Sequence, residues 1–428
     1  MQKKLIFISL NELNFDLING YLHDPKLKNF KSLSKKIYKT DCYEEYQNLE
    51  PWIQWPTIYT GKSASEHKQF RLGDAVNFDH KTIFNEIENL GISVGAISPM
   101  NLKNNLKSPS YFIPDPWTDT HSDKNFMSSI TAKTISYFVK SNSHLKFDIK
   151  YWFYLFLIFL RYFKISNFLL YLKLFFSSFT FKWRKALFLD LLLSDIHYSL
   201  FKKNKPDFSH FFLNGFAHIQ HHYMFNSNIL GKKNSNPTWY VNPNSDPIRD
   251  ALLVYEKILD DYLDKKNTEL IIATGLTQVP YDRTKFYYRL KNHQIFFEKL
   301  GIKIAGVQEL MSRDFYLIFT NSEIAKNAFD KIINISDKNN KKIFGDVQQI
   351  DNKLFVSFVY DIEIKDQKIQ HYDIKILDFV NFVALKNGMH SSRGFIYTSF
   401  NSKFLDVVNI SKVKDMIFNF FKKKNYAE

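Results

Sequence analysis

Short apolar runs alternate with helical patterns along most of this chain. The runs have the length and composition of strands buried on both faces of a parallel sheet: 5–10, 92–98, 208–213 and 270–273. Between the last two, apolar positions recur at helical spacing after Asp246 and Pro247, a favourable cap and first-turn pair. The alternation predicts an α/β fold: a three-layer α/β/α sandwich around a mostly parallel sheet, with binding loops at the carboxyl ends of its strands.

Two segments interrupt this alternation. Residues 149–186 contain seven Lys or Arg and no acidic residue, among many Phe, Leu, Tyr and Trp. That composition is typical of an in-plane helix or helical hairpin on an anionic membrane, and equally of cap helices whose lysines reach outward. Residues 281–350 are polar and mixed, which predicts an inserted lid. The predicted organisation has five parts: core 1–142, basic aromatic insertion 143–186, core 187–280, lid 281–350, and 351–428 with the end of the core and a C-terminal helix.

Composition narrows the classes of partner. The 428 residues carry a formal charge of +15, but only eight of the 58 basic residues are arginine, and an AT-rich genome supplies lysine without any ligand. Specific readers of nucleic acid usually use arginine, so we expect no sequence-specific nucleic-acid partner. The single cysteine, Cys42, excludes a disulfide framework and a multi-cysteine zinc site. The apolar run at 5–10 predicts a strand and not a signal peptide, so the expected location is cytoplasmic, with or without peripheral contact at the inner face of the membrane.

Histidines supply the first candidate chemistry. His218, His221 and His222 directly follow the strand at 208–213, and on a helix the first and last of them share one face. The alternative is that one packs structurally and the others are solvated. The segment 388–394 predicts a glycine-bounded turn that presents an imidazole and a guanidinium, or an ordinary polar turn.

Polar side chains also follow the first strand and fill a later loop. Asn11 and Glu12 stand where a switch point of a parallel sheet places ligand-contacting groups. A second set lies after an acidic loop and predicts a pocket lining: Trp52, Gln54 and Thr57. Arg71 is a candidate anion contact, or it pairs with Asp74 and braces its loop.

The order of these motifs resembles the alkaline phosphatase superfamily, especially its type I phosphodiesterase, nucleotide pyrophosphatase and sulfatase-like branch. Residues 57–67 look like that group's segment after the nucleophile, residues 215–221 like its DHxxH segment, and 388–394 like its last histidine turn. The similarity spans 1–125 and 205–400. It implies two metal ions around a Thr or Ser nucleophile that attacks phosphorus or sulfur.

Much of that set is replaced here. Other residue types stand at the family's positions: Asn11 for the first-strand aspartate, Pro51 near the nucleophile, Ala217 for the aspartate of DHxxH, and Thr274 with Gly275 for an Asp-His pair. Only His221 and His390 remain, both from the same metal site. Because a catalytic zinc needs three protein ligands, Glu12, His218 or His222 would have to complete a single site. Otherwise the histidines act as acid and base without metal.

The sequence therefore predicts a divergent hydrolase or transferase for a phosphorylated or otherwise anionic glycan or lipid-linked substrate, as in bacterial surface-polysaccharide metabolism. The expected cofactor is one divalent ion, zinc or manganese, or none, and not a two-metal centre. The predicted catalytic residues are Glu12, Thr57, His221 and His390, of which Glu12, His221 and His390 are also the predicted metal ligands. The predicted substrate-binding residues are Asn11, Trp52, Gln54, Arg71, His218, His222 and Arg393. The alternative is a catalytically inactive, metal-free relative that binds a glycan or organises a membrane-associated complex.

Overall fold

The computed structural model describes residues 3–141, 148–231, 234–263, 265–310, 313–400 and 407–425. The chain divides into two compact units. The first comprises Met1–Lys233, Pro237–Pro280 and Gly388–Glu428, and the second Asn234–Asn236 and Tyr281–Asn387. The five predicted segments remain predictions, and the predicted boundary at 142/143 falls outside the described residues.

The strands are numbered in chain order: β1 (Lys4–Leu10), β2 (Ile37–Asp41), β3 (Val94–Ile97), β4 (Tyr111–Ile113), β5 (Phe208–Leu213), β6 (Thr268–Ala273), β7 (Thr277–Leu290), β8 (Gly306–Glu309), β9 (Asp314–Ile318), β10 (Phe344–Ile350), β11 (Lys353–Phe358), β12 (Val380–Ser391), β13 (Arg393–Thr398) and β14 (Val407–Asn409).

The helices are numbered in the same way: α1 (Phe15–Asn19), α2 (Lys28–Ser34), α3 (Pro51–Thr60), α4 (Ala64–His67), α5 (Ile83–Asn89), α6 (Phe126–Ser141), α7 (Ile149–Tyr162), α8 (Phe168–Ser177), α9 (Arg184–Asn204), α10 (Gly215–Tyr223), α11 (Pro247–Leu259), α12 (His293–Lys299), α13 (Ser322–Ile332), α14 (Ile376–Phe379) and α15 (Lys412–Asn425).

Within the described residues, eight strands form the sheet of the first unit, in the order β14-β2-β13-β6-β1-β5-β3-β4. Strand β13 runs antiparallel to both β2 and β6, and the other neighbouring pairs are parallel. The predicted mostly parallel sheet is therefore confirmed. Its centre is β1, the apolar run at 5–10, which is paired on both sides and so must bury both faces.

Alternate residues of β1 feed two separate cores, which is what makes the unit three-layered. Ile6 and Ile8 pack with helices such as α9 and α11 on one face of the sheet. Leu5 and Phe7 pack with α3, α5 and α15 on the other face. The predicted α/β/α sandwich follows directly from the two-residue period of this strand.

The second unit has its own sheet and its own core. Strands β10, β11, β9 and β8 pair antiparallel in that order. Helix α13 packs on this sheet through Ala325, Ala328 and Ile332, which recur at helical spacing.

One predicted local structure is wrong. The segment 388–394 is not a polar turn: His390 lies inside strand β12, and only a bend at Ser392 separates it from β13. Gly388 is required for close packing, since a Cβ there would lie 2.2 Å from Oε1 of Gln278.

Within the described ranges, no single helix is long and apolar enough to cross a membrane. The helical stretches Ile149–Tyr162 and Ile165–Ser177 satisfy that test only together, as a pair bent by 115°.

Candidate metal centre

Three chain segments bring Glu12, His221 and His390 to one edge of the main sheet. Glu12 follows β1, and His221 lies on α10, which begins just after β5. Because β1 and β5 are parallel neighbours, their carboxyl ends share this edge. Strand β13 runs antiparallel to β6, so the chain entering β13 arrives at the same edge, and His390 lies three residues before it.

The ligand atoms of the three residues form a nearly equilateral triangle. Oε2 of Glu12 lies 3.1 Å from Nε2 of His221 and 3.2 Å from Nε2 of His390. The two Nε2 atoms are 3.2 Å apart. Ligands bound tetrahedrally to zinc at about 2.0–2.1 Å stand roughly 3.3 Å from one another, so this spacing fits one ion and leaves a fourth position open. Among the described residues, one group of three or more Asp, Glu, His or Cys side chains lies close enough to share a metal ion, and it consists of Glu12, His221 and His390.

Both imidazoles are held by a second contact on the far side of the ring. Nδ1 of His221 lies 3.2 Å from the carbonyl oxygen of Gly388, and Nδ1 of His390 lies 3.4 Å from Oε2 of Glu50. A proton kept on Nδ1 by these acceptors leaves the Nε2 lone pair directed at the centre of the triangle. This is the arrangement that fixes the tautomer of metal-binding histidines.

Glu12 is held equally firmly. Its side chain is only 2% exposed, and its backbone has a φ of 57°, a left-handed conformation that is uncommon for a residue with a Cβ. Its N–H donates to the carbonyl of Thr274 at 3.0 Å. Oε1 accepts from Nδ2 of Asn11 at 2.9 Å, and Oε2 accepts from Nε2 of Gln278. The strained backbone aims a preoriented carboxylate at the histidines.

The electrostatics favour the ligand form of Glu12. Burial by itself opposes ionisation, but attraction to His390 and then to His221 outweighs it and holds the pKa of Glu12 well below its ordinary value. The carboxylate is therefore ionised at neutral pH, as metal coordination requires.

Helix α10, which carries His221, begins on a buried carboxylate. Oδ2 of Asp190 accepts from the N–H of Gly215 at 2.7 Å and from the hydroxyl of Tyr255. A Cβ at Gly215 would lie 2.5 Å from that oxygen, so the first helical residue has to be glycine. Burial raises the pKa of Asp190 to about 6. This contact fixes the start of the helix and with it the position of His221.

The other two clustered histidines lie beside Glu12, His221 and His390, which we call the triad. His218 is exposed and stands one turn before His222, with ring centroids 4.7 Å apart. The ring of His222 lies 6.2 Å from that of His221. Of the three candidates for the third ligand, the structure places Glu12 there.

The predicted pocket residues Trp52, Gln54 and Thr57 lie on α3 and have local partners. Trp52 and Gln54 donate to backbone carbonyls at 3.2 and 2.8 Å. The Thr57 hydroxyl is buried and lies 3.1 Å from Nε2 of His67. Burial lowers the pKa of His67 to about 4, so this imidazole is neutral. Their catalytic and substrate-binding roles stay predictions.

Asn11 supports the site through its amide. Besides its bond to Glu12, Nδ2 donates to Oδ1 of Asn214 at 2.8 Å, and Oδ1 accepts from Nε1 of Trp55 at 2.8 Å. The remaining predicted anion contacts, Arg71 and Arg393, are exposed.

Arg71 is tied into its loop through its backbone. Its N–H donates to Oδ2 of Asp74 at 2.7 Å, which gives the predicted brace of this loop a concrete form.

Two residues at the site were not predicted from the sequence. Glu50 directly precedes α3, in a segment already marked as acidic, but its contact with His390 has no signature in spacing. Gln278 lies just inside β7 and is fully buried, with Nε2 donating to Glu12 and, at 3.0 Å, to the carbonyl of Ala217. Nothing in its sequence neighbourhood distinguishes it from an ordinary strand residue.

Comparison with known proteins gives matches among solved structures. Neither a protein-family model nor a curated protein matches the chain. Phosphonoacetate hydrolase from Sinorhizobium meliloti 1021 is 8% identical, with 98% of this chain and 96% of that chain covered and a TM-score of 0.44.

Two further structures come from the group that the motif order resembles. The inactive murine ectonucleotide pyrophosphatase/phosphodiesterase 5 in complex with AMP is 9% identical, covers 99% and 95%, and has a TM-score of 0.48. The alkaline phosphatase PafA is 9% identical, covers 99% and 96%, and has a TM-score of 0.46. At these identities and TM-scores the likeness concerns the fold alone and carries no functional conclusion.

Proposed function

We propose that this protein is a divergent alkaline-phosphatase-like hydrolase or transferase that uses one divalent metal ion, held by Glu12, His221 and His390. Its substrate in this proposal is a phosphorylated or otherwise anionic glycan or lipid-linked molecule. The observation that carries the proposal is the triangle of ligand atoms with 3.1–3.2 Å edges, together with a fixed Nδ1 partner on each histidine.

A divalent ion held by the triad would attract an anionic substrate. With Glu12 ionised and both imidazoles neutral, as metal ligands must be, the ion and its three ligands would carry a net charge of +1, and the carboxylate of Glu50 beside His390 would bring the sum to zero. A bound ion supplies a Lewis acid that polarises a phosphoryl oxygen and lowers the pKa of water. An anionic phosphoester or sulfoester oxygen would be attracted to such an ion.

The chain's own residues hold the metal ligands in position. Oε2 of Glu50 lies 3.4 Å from Nδ1 of His390, where it would accept the Nδ1 proton, and the Glu50 side chain is one-third exposed, so it reaches solvent as well as the imidazole. Asn11 and Gln278 hold the Glu12 carboxylate in place by donating to its two oxygens. In the reaction, an oxygen of water or of an acceptor hydroxyl bonds to phosphorus and gives up its proton to solvent, while the bond to the leaving oxygen breaks and that oxygen takes up a proton from solvent.

Metal content is the direct test. The purified protein, stripped with a chelator and reloaded with zinc or manganese, should bind about one ion per chain by elemental analysis. His221→Ala and His390→Ala should each lose that ion, because two ligands seldom hold a catalytic zinc. His121→Ala, which removes an exposed histidine outside the site, should keep it.

Activity separates the enzyme from the inactive alternative. We expect the loaded protein to hydrolyse aryl phosphate monoesters or diesters, and the two histidine variants to lose the activity by at least about a hundredfold. Stoichiometric metal without turnover on aryl phosphates, aryl sulfates or lipid-linked sugar phosphates would favour a binding protein. Absence of bound metal, with no effect of either histidine variant on ligand binding, would refute the proposal.

A further inference from the structure

Helices α7 and α8 carry an unusual outer surface. They are joined at a sharp bend, and large apolar side chains stand exposed along both of them. Twelve of the 29 large hydrophobic residues exposed in the described parts of the chain fall between 149 and 179: Ile149, Trp152, Phe153, Phe156, Leu160, Ile165, Phe168, Leu169, Leu172, Phe175, Phe176 and Phe179. We call these residues the outer apolar face.

The opposite sides of the two helices are already committed to the protein core. Ile158 and Tyr162 of α7, and Tyr171 and Leu174 of α8, are buried in the same cluster as α9. The hydroxyl of Tyr171 also donates to Asp195 of α9 at 2.9 Å. The orientation of α7 and α8, which we call the hairpin, is thus fixed by their contacts with the core. A helix with apolar residues on its outer side as well as its inner side needs a second apolar environment, and here the outer side has none within the described chain.

Positive charge accompanies the outer apolar face in the same segment of the chain. Five basic side chains of this segment are exposed: Lys150, Arg161, Lys173, Lys182 and Lys185. None of the five has an acidic partner within 4.0 Å among the residues that the structure describes, and residues 149–186 contain no acid. Lys150 and Arg161 lie over the rings of Tyr154 and Tyr162, at 5.6 and 5.4 Å from the ring centroids. Aromatic rings beside cations are the composition of helices that bind membrane interfaces.

We propose that the outer apolar face docks on the surface of an anionic lipid bilayer, with α7 and α8 lying in the plane of the interface. The 14 residues of α7 and the 10 of α8 span about 21 and 15 Å, which is short of the roughly 30 Å hydrocarbon core. A bend of 115° turns the second helix back from the path of the first, so the pair fits a surface better than a crossing.

The charge pattern selects this occupant over another copy of the chain. Two such faces pressed together would oppose ten exposed cations with no acid from either segment, which is unfavourable in a desolvated contact. An anionic lipid bilayer matches both features, because its acyl chains take up the aromatic rings and its phosphate groups pair with the cations. Vesicle binding does not depend on the metal centre, so this proposal and the proposed function can fail separately.

Vesicle flotation with the full-length protein tests the proposal. We expect the protein to float with vesicles of phosphatidylcholine mixed with phosphatidylglycerol, and much less with phosphatidylcholine alone. Binding should weaken as salt rises from about 0.05 to 0.5 M, since screening shortens the reach of surface charge.

Two variants separate the apolar and ionic contributions. Phe153→Ser, Phe156→Ser and Leu169→Ser together remove side chains that are more than half exposed, so the fold should survive, as circular dichroism and thermal unfolding would verify. Lys150→Glu, Lys173→Glu and Lys182→Glu together reverse three exposed charges. Each variant should lower the vesicle partition coefficient by more than about tenfold, because each cation near an anionic leaflet contributes about fivefold.

Two matched controls make the same kinds of substitution at exposed positions away from the hairpin. The apolar control combines Ile295→Ser, Ile324→Ser and Ile350→Ser, and the charge control combines Lys35→Glu, Lys326→Glu and Lys331→Glu. Both controls should bind vesicles like the wild type. The proposal is overturned if the wild type ignores anionic vesicles at low salt, or if the hairpin variants bind as the controls do. It is equally overturned if the wild type is an oligomer that the apolar variant converts to a monomer, and neither the wild type nor the variant binds lipid.

Discussion

Nδ1 of His390 lies 3.4 Å from Oε2 of Glu50, so a carboxylate from the residue before α3 supports an imidazole from strand β12. The partner of the other imidazole, His221, is the neutral carbonyl of Gly388. A carboxylate on Nδ1 makes the imidazole a more basic ligand, whereas a carbonyl mainly fixes its orientation. The two histidines of the triad are therefore electronically unequal, and Glu50 should matter mostly through metal affinity.

Glu50→Gln tests that inequality. The amide keeps the shape and still accepts from Nδ1, but it removes the negative charge, so zinc affinity should fall by about tenfold or more. Competition with a chromophoric chelator measures the change. Glu45→Gln neutralises an exposed carboxylate five residues earlier and should leave the affinity unaltered. Equal affinities of the two variants would mean that Glu50 does not support the metal centre.

Asn11→Asp probes why an amide and not a carboxylate precedes Glu12. Nδ2 of Asn11 donates to Oε1 of Glu12 and to Oδ1 of Asn214, and a carboxylate would face both acceptors with its own oxygen. We expect the metal-free variant to lose about 2–4 kcal/mol of unfolding free energy in urea titration. Glu12 and Asn214 would lose the amide donor that they share, and the new carboxylate would stand next to the carboxylate of Glu12. Asn89→Asp, at an exposed position, is the control. A stability equal to the control's would show that the pair tolerates two carboxylates.

The fold was predictable because its signals are local. The run at 5–10 is apolar at every position except Ser9, which is typical of a short strand covered on both faces, and Asp246 does cap α11 by accepting from the N–H of Arg249. The grouping of Glu12 with two histidines came from strand ends that a parallel sheet brings to one edge.

The supporting residues were not predictable in the same way. Glu50 and Gln278 reach the triad through tertiary packing, and no spacing along the chain encodes such a contact. The prediction of a turn at 388–394 is wrong because a glycine needed for close approach looks, in sequence, like one needed for a turn. Gly388 and Gly394 lie against Gln278 and Gly275, which are distant in sequence.

Asp190 should give the stability of the protein a specific dependence on pH. Burial raises its pKa to about 6 in the folded protein, above the value of about 3.8 expected when the chain is unfolded. The folded state thus holds this proton more tightly than the unfolded chain does. The stabilisation that protonated Asp190 contributes is therefore complete below about pH 4 and is lost as the pH rises through 6. The stability difference between wild type and Asp190→Asn should shrink by up to about 3 kcal/mol between pH 4 and 7.

Urea unfolding of both proteins across that range measures the difference, in which other carboxylates cancel. Asn327→Ala, an exposed substitution that removes no titratable group, should show a difference that does not vary with pH. A flat difference for Asp190→Asn would mean that the carboxyl titrates alike in folded and unfolded chains.

Gly394→Ala should damage the sheet and the metal centre together. A Cβ at Gly394 would lie 2.2 Å from the carbonyl oxygen of Gly275 and 2.6 Å from Oγ1 of Thr40, so β13 must shift away from its neighbours. We expect a loss of about 3 kcal/mol in unfolding free energy and, because His390 lies four residues earlier, zinc affinity lower by at least about tenfold. Gly231→Ala places its Cβ with no atom within 4 Å and should change stability by less than about 0.5 kcal/mol. If Gly394→Ala were destabilised while retaining full zinc affinity, the position of His390 would be set by β12 alone and not by the packing at the start of β13.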